Sequence, residues 1–305
     1  RPHKPPTAAT EVFAAAYKTG ATTTPAYISG FPIDAVIRHD DLTGSTFGSY
    51  ILSRLTGTKQ MATSSSAAET NNTSMMMDFM NGYNTDTFSS TNTISWMFKR
   101  APGFMDVVAA DYPSSGTAIP HNLGVAPELI IHKPRDGAIN WIVGSDYLSN
   151  TSGWNQYLEL NSSNAESSTS TVWDQTAPTA THFTLGSYPG SSYKGVFYLF
   201  ATLPGISKVG SYSGTGSDVD VDCGFTAGAR FVLIKRTNAT GGWYVWDTLR
   251  GIVSGNDPYL LLNSTAAQVT STDYIDPLNA GFTVTSSAPA ALNASGGTYL
   301  FLAIA

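Results

Sequence analysis

One pattern of residues occurs three times along the chain, and it constrains the fold more than any other feature. Leu123-Gly124-Val125-Ala126-Pro127-Glu128-Leu129-Ile130-Ile131-His132-Lys133 is answered by Gly224-Phe225-Thr226-Ala227-Gly228-Ala229-Arg230-Phe231-Val232-Leu233-Ile234-Lys235-Arg236. A fainter version stands upstream at Gly30-Phe31-Pro32-Ile33-Asp34-Ala35-Val36-Ile37-Arg38. The match between the second and third versions continues. Asn140-Trp141-Ile142-Val143 parallels Gly242-Trp243-Tyr244-Val245, and Tyr157-Leu158-Glu159-Leu160-Asn161-Ser162 parallels Tyr259-Leu260-Leu261-Leu262-Asn263-Ser264. Each version closes on an aromatic run, with anchors at Phe98, Phe200 and Phe301, spaced 102 and 101 residues. A repeat changes the fold prediction entirely, so it is weighed first.

The joins repeat as well. Phe98-Lys99-Arg100-Ala101-Pro102-Gly103-Phe104 parallels Phe200-Ala201-Thr202-Leu203-Pro204-Gly205-Ile206. Pro presets φ and Gly supplies φ > 0, so Pro-Gly marks a tight turn. Joins this short predict neighbours that cannot swing freely and that pack end to end. A unit of about 100 residues is large enough for its own core. The expected organisation is an extended N-terminal arm over residues 1–10 and three repeats over 11–104, 105–205 and 206–305.

The fold class follows from periodicity. The apolar runs are short, rich in Val, Ile, Phe, Tyr and Trp, and separated by Gly, Ser, Thr, Asn and Pro, the pattern of strands and turns. Asp218-Val219-Asp220-Val221-Asp222 alternates like a strand with one wet face. Arg230-Phe231-Val232-Leu233-Ile234 reads as a strand buried on both faces. Met105-Asp106-Val107-Val108-Ala109 and Lys208-Val209-Gly210-Ser211-Tyr212 read as first strands of their repeats. The prediction is an all-β chain of three tandem β-sandwich, jelly-roll-like repeats. Short helical turns are expected at Ser64-Ser65-Ser66-Ala67-Ala68-Glu69 and at Asn164-Ala165-Glu166.

Charged residues make up 12% of the chain, about half the usual share. Ser and Thr keep the surface wet instead, which suits contact with like copies or with hydroxyl-rich ligands such as glycans. The formal charge of −6 and a pI near 5.2 argue against a nucleic-acid partner, which needs a basic stripe. The lone Cys223 excludes an internal disulfide framework and reads as a buried thiol. No apolar run reaches the length of a membrane span, so no membrane insertion is expected.

Catalytic signatures are sparse. The five histidines show no ligand spacing, and His132, at a position read as matching Arg38 and Lys235, is expected to be a surface cation at a strand end. Asp218, Asp220 and Asp222 could present three carboxylates to a hard cation. Without a DxDxDG loop they read better as a solvated strand face, and Asp40-Asp41 reads as a turn. Glu11, Glu69, Glu128, Glu159 and Glu166 supply carboxylates for a glycosidase pair, yet Glu159 and Glu166 map to Leu261 and Gln268 in the next repeat. No GxSxG elbow occurs. The chain is expected to be no enzyme and to need no cofactor.

Aromatics offer a binding alternative. Trp154, Trp173, Tyr244 and Trp246 are candidates for stacking on sugar rings or on a partner. Alternation sends Trp243 and Val245 to one face and Tyr244 and Trp246 to the other, with one face expected to be core.

Ile119-Pro120-His121-Asn122-Leu123-Gly124-Val125-Ala126-Pro127-Glu128, the run Val232-Leu233-Ile234-Lys235-Arg236-Thr237 with Gly242-Trp243, and Asp247-Thr248-Leu249-Arg250-Gly251 resemble a known family. So do the join Trp96-Met97-Phe98-Lys99-Arg100-Ala101-Pro102 and the run Gly210-Ser211-Tyr212-Ser213-Gly214-Thr215-Gly216. The family comprises tandem-repeat virion proteins of tailed bacteriophages, especially marine ones, described as tail-fibre or structural proteins. The likeness spans nearly the whole chain, although the first repeat lacks the Leu-x-Leu-Asn element and places Tyr50 near where a Trp is expected. It implies a non-enzymatic structural protein on the exposed virion surface, a tail-fibre or receptor-contacting appendage. The implied partners are other virion proteins, further copies of the chain and a host-surface glycan. A capsid decoration or head-fibre protein, and a carbohydrate-binding adhesin or glycan-active enzyme, remain as alternatives. No catalytic residue carries over from the family.

Overall fold

The short β-branched and aromatic runs become strands, and the Gly, Pro and Asn clusters between them become turns. The computed structural model describes residues 4–19, 24–85, 92–112 and 116–305. The first segment of chain contributes β1 (Phe13–Tyr17), β2 (Tyr27–Ile28), β3 (Ala35–Asp40), β4 (Ser49–Ser53), β5 (Lys59–Ala62), β6 (Thr70–Asn71), β7 (Gly82–Tyr83) and β8 (Thr93–Phe98). The second contributes β9 (Met105–Asp111), β10 (Thr117–Pro120), β11 (Leu129–Pro134), β12 (Ile142–Ser145), β13 (Gln156–Glu159), β14 (Ser167–Ser168), β15 (His182–Leu185) and β16 (Lys194–Phe200). The third contributes β17 (Ser207–Ser213), β18 (Val219–Asp222), β19 (Phe231–Arg236), β20 (Trp243–Asp247), β21 (Leu260–Leu261), β22 (Ile275–Leu278), β23 (Gly281–Val284) and β24 (Thr298–Ile304).

Each segment folds an unequal antiparallel sandwich. The large sheets run β1-β8-β3-β4-β5-β6, β9-β16-β11-β12-β13-β14 and β17-β24-β19-β20-β21. The small sheets are β2-β7, β10-β15 and β18-β23-β22. The chain is therefore all-β and sandwich-like, and β9, β17, β18 and β19 lie where periodicity placed them.

Both faces of the large sheets are buried, and they face different cores. Ala35 and Ile37 of β3, Leu129 and Ile131 of β11, and Phe231 and Leu233 of β19 point into one core shared by all three segments. Phe98, Phe200 and Ile304, at the ends of the last strands, join them. The alternate residues, such as Val36, Ile130 and Val232, meet the small sheets in separate cores within each segment. Burying a large apolar side chain stabilises by roughly 1.5–3 kcal/mol, so the shared core dominates what holds the segments together.

The segments do not stack end to end. They close on one another, because an amphipathic face repeated three times is best covered by its own copies. The Glu69 amide donates to the Arg135 carbonyl (2.7 Å), Glu166 to Thr237 (2.8 Å) and Gln268 to Leu42 (2.9 Å). These links run from first to second, second to third and third back to first. At the joins, Gly103 and Gly205 adopt φ of 76° and 74°, as their turns require. They lead into the bridges Ala101–Met105 and Leu203–Ser207.

Three local expectations are corrected here. The helical turns foreseen at 64–69 and 164–166 are non-helical, because the amides of Glu69 and Glu166 serve a neighbouring segment instead of a helix. Helix is confined, among the described residues, to 3-10 turns at Ala9–Glu11 and Arg54–Thr56 and the single turn α1 (Ala290–Asn293). The third anchor is Ile304 and not Phe301: Phe98 pairs with Phe13, Phe200 with Met105, and Ile304 with Ser207. An odd shift flips a strand's faces, so Phe301 lies in the core of its own segment. The N-terminal arm, described from residue 4, is not wholly free of the body, since Pro6 is buried and Ala9 enters the shared core.

Candidate functional site

A cavity lies where the first segment hands over to the second. A cleft of about 490 Å³ is lined by Arg100 and Pro102 of the join, by Met105 and Asp106 of β9, and by His121, Asn122 and Thr181 of the second segment. Residues of two runs singled out in the sequence, 96–102 and 119–128, contribute to its lining.

Its polar groups are held by the fold. Asp34 accepts the Arg100 backbone amide (2.8 Å) and pairs with the Arg100 guanidinium at 3.2 Å, while Asp106 lies 4.0 Å from it. Asp106 is itself engaged by the amides of Val107 (2.9 Å) and Asn122 (2.7 Å). The Leu123 amide donates to His121 Nδ1 (3.2 Å), which leaves Nε2 to donate to the Thr179 carbonyl (3.1 Å). Burial holds His121 below its ordinary pKa, so it is a neutral spacer with both nitrogens occupied. What faces the cleft is a half-buried guanidinium and the exposed Asn122 and Thr181. That set can hydrogen-bond a hydroxyl-bearing ligand, and the Thr181 hydroxyl is itself bonded to the ring Nδ1 of His182 at 2.8 Å. The matching positions at the second join are Thr202, Lys208, Cys223 and Gly224, so the polar set belongs to the first join alone.

The aromatic candidates for glycan contact are all core. Trp154, Trp173, Tyr244 and Trp246 are buried at 3%, 1%, 9% and 0% exposure. Trp154 and Trp173 meet edge to face at 5.3 Å in the space left by Gly144, where a Cβ would collide with both. Tyr244 stacks on Trp246 at 5.7 Å. Two-sided burial of the large sheet is the reason: Trp243 and Val245 serve the shared core, Tyr244 and Trp246 the segment's own.

Asp218, Asp220 and Asp222 are exposed along one face of β18 and its approach, and each carboxylate has a separate donor. These are Ser286 N, Thr283 Oγ1 and Gly224 N. Among the described residues no group of three His, Cys, Asp or Glu is placed to hold a metal ion. Cys223 is buried and free, and burial pushes its thiol up to about 12.

His132 is no surface cation. It is fully buried, bonded to the Tyr112 hydroxyl at 2.5 Å, and burial holds its pKa down to about 3. Strand register aligns it with Arg38 and Ile234, facing its own segment's core, while Lys133 and Lys235 occupy the next position. Asp40 is likewise no turn residue, but forms a buried pair with Arg38 at 2.6 Å. Glu69 pairs with Arg135 at 2.7 Å, Glu159 holds Asn140, and Glu166 holds Ser149. These carboxylates fasten loops and segment contacts rather than opposing one another across a cleft.

Sequence reasoning missed two buried networks. One is Arg38–Asp40. The other is Asp247–Arg250, at 2.6 Å, which accepts the indole N–H of Trp96 from the first segment at 3.0 Å. The Asp247-Thr248-Leu249-Arg250-Gly251 motif carried the signal, since an i,i+3 acid–base pair inside an apolar stretch implies mutual burial.

No curated protein matches the chain. A family model does, over residues 105–305, and the chain belongs to that family, described as a domain of unknown function, DUF7483.

Proposed function

We propose that this chain is a non-enzymatic structural protein of a tailed-phage virion, a tail-fibre or receptor-contacting appendage on the particle surface. The supporting observation is where its polar chemistry goes. Buried His132, Lys133, Lys235, Asp40 and Asp247 are consumed in fastening strands and segments, and the open cleft presents Arg100, Asn122 and Thr181, groups suited to hydrogen-bonding a hydroxyl-bearing ligand. The motif resemblance supplies the phage assignment, and the low charge fits a surface that meets other virion proteins, like copies or neutral glycans.

The test is localisation on purified particles by imaging and quantitative mass spectrometry. Expected is a few copies per particle at the tail. Copies matching the capsid lattice would move the chain to the shell as a decoration or head-fibre protein. Absence from the particle would refute a virion role.

A further inference from the structure

The contacts between segments follow one template, and the seam where the third segment meets the first departs from it. Lys133 and Lys235 stand at equivalent inward positions of β11 and β19, both buried. Lys133 Nζ donates to Ser66 O of the preceding segment (3.1 Å) and to Pro134 O and Gly137 O of its own. Lys235 Nζ donates to Ser163 O (3.2 Å) and Asn164 O (2.8 Å) of the preceding segment and to Gly241 O. Trp141 and Trp243 repeat the arrangement, their indoles donating to Ala62 O (2.8 Å) and Glu159 O (2.9 Å). Two of the three contacts therefore carry a lysine clamp and an indole clamp.

At the seam, strand register puts His39 in the lysine position and Ser49 in the indole position. The two substituted residues bond each other, Nδ1 to Oγ at 2.9 Å, so this pair is spent within the first segment. The polar contacts across the seam are of another kind, Thr63 Oγ1 to Leu262 O, Gln268 N to Leu42 O, and the latch of Trp96 on Asp247 with Arg250 over its ring at 5.4 Å, beside the packing of Phe231 on Phe13, Trp96 and Phe98. No join peptide spans this contact, whereas the other two each have one.

We propose that the closed arrangement opens at this seam while the other two contacts hold, and that acid favours the open form. His39 is the acid-sensitive element. It faces Arg250 of the third segment, which Asp247 neutralises in part, and Asp41 in the turn after β3; Arg38 and Asp40 point to the other face of the strand. Burial, and then Arg250, hold its pKa down from 6.5 to about 4. The closed form thus keeps His39 neutral. Below pH 6.5 the open form takes up a proton that the closed form refuses until about pH 4. The closed form loses about tenfold in relative population per pH unit across that window.

The three equivalent amides, Glu69, Glu166 and Gln268, are natural reporters. Hydrogen exchange on the full chain should give Gln268 a protection factor about tenfold or more below the other two at pH 7.5. A further drop of about tenfold is expected for Gln268 at pH 5.5, and His39→Gln should abolish it. A Gly48→Cys/Thr265→Cys lock crosses the seam, because a Cβ at Gly48 would lie 3.4 Å from Thr265 Cα. The lock should raise Gln268 to the level of Glu166, and it keeps the test valid if His39→Gln fails to fold. Equal protection of the three amides, or a formed lock without effect on Gln268, would overturn the proposal.

Discussion

Phe231→Ala tests whether the three segments share one core in the energetic sense. Phe231 is fully buried, and its ring lies 5.4 Å from Phe13, 6.0 Å from Trp96 and 6.1 Å from Phe98, all of the first segment. Truncating a buried Phe costs about 3–5 kcal/mol through lost transfer energy and the cavity left behind. Each aromatic pair adds about 0.5–1.5 kcal/mol beyond area, and the three partners share one ring, so about 4–5 kcal/mol is expected. The sheets around it are pinned by cross-segment hydrogen bonds and cannot collapse fully into the void. The assay is urea unfolding followed by tryptophan fluorescence and far-UV circular dichroism. Both probes should shift to lower urea together, because Trp96, Trp141 and Trp243 line the same core in three different segments. A loss below about 1 kcal/mol, or a variant in which one segment melts while the others keep their wild-type midpoint, would refute energetic sharing of the core.

Three further outcomes are expected. Asp40→Asn should cost about 3–5 kcal/mol by stranding the buried Arg38, and Arg38→Met with Asp40→Leu should recover most of it in a double-mutant cycle read by urea midpoints. His132 is neutral in the fold and held at about 3, so stability falls as pH drops below 6.5. His132→Leu, an aliphatic replacement like Ile234 at the matching position, should therefore remove about 2 kcal/mol of acid destabilisation between pH 7 and pH 5, measured by denaturant titration at both. Cys223, with its thiol pushed up to about 12, should resist iodoacetamide at pH 8 in the folded protein and react within minutes in 6 M guanidinium, followed by intact mass.

Much of the fold was legible because local rules govern it. Alternation at Val219 and Val221, the continuous run at Phe231 and the Pro-Gly joins each reflect a backbone or burial requirement acting within a few residues. The candidate site was half legible. Arg100, His121 and Asn122 stood inside motifs the sequence singled out, but their meeting across a join depends on a turn that brings residues 100 and 181 together. The aromatic candidates misled because an isolated sandwich leaves one face of a sheet wet, whereas here the large sheets are covered on both sides. His132 and Asp40 misled for the same reason, since a polar residue near a strand end signals exposure only if that strand end lies at the surface.

The amino-acid order alone determined strands, turns and the recurrence of one strand plan, because these depend on side-chain period and on φ preferences of Pro and Gly. Only tertiary structure decided which face of each sheet counts as outside, that the segments close on a common core, and that the third contact is made differently from the other two. Closure depends on complementarity between surfaces roughly a hundred residues apart in sequence, and no local pattern encodes that distance.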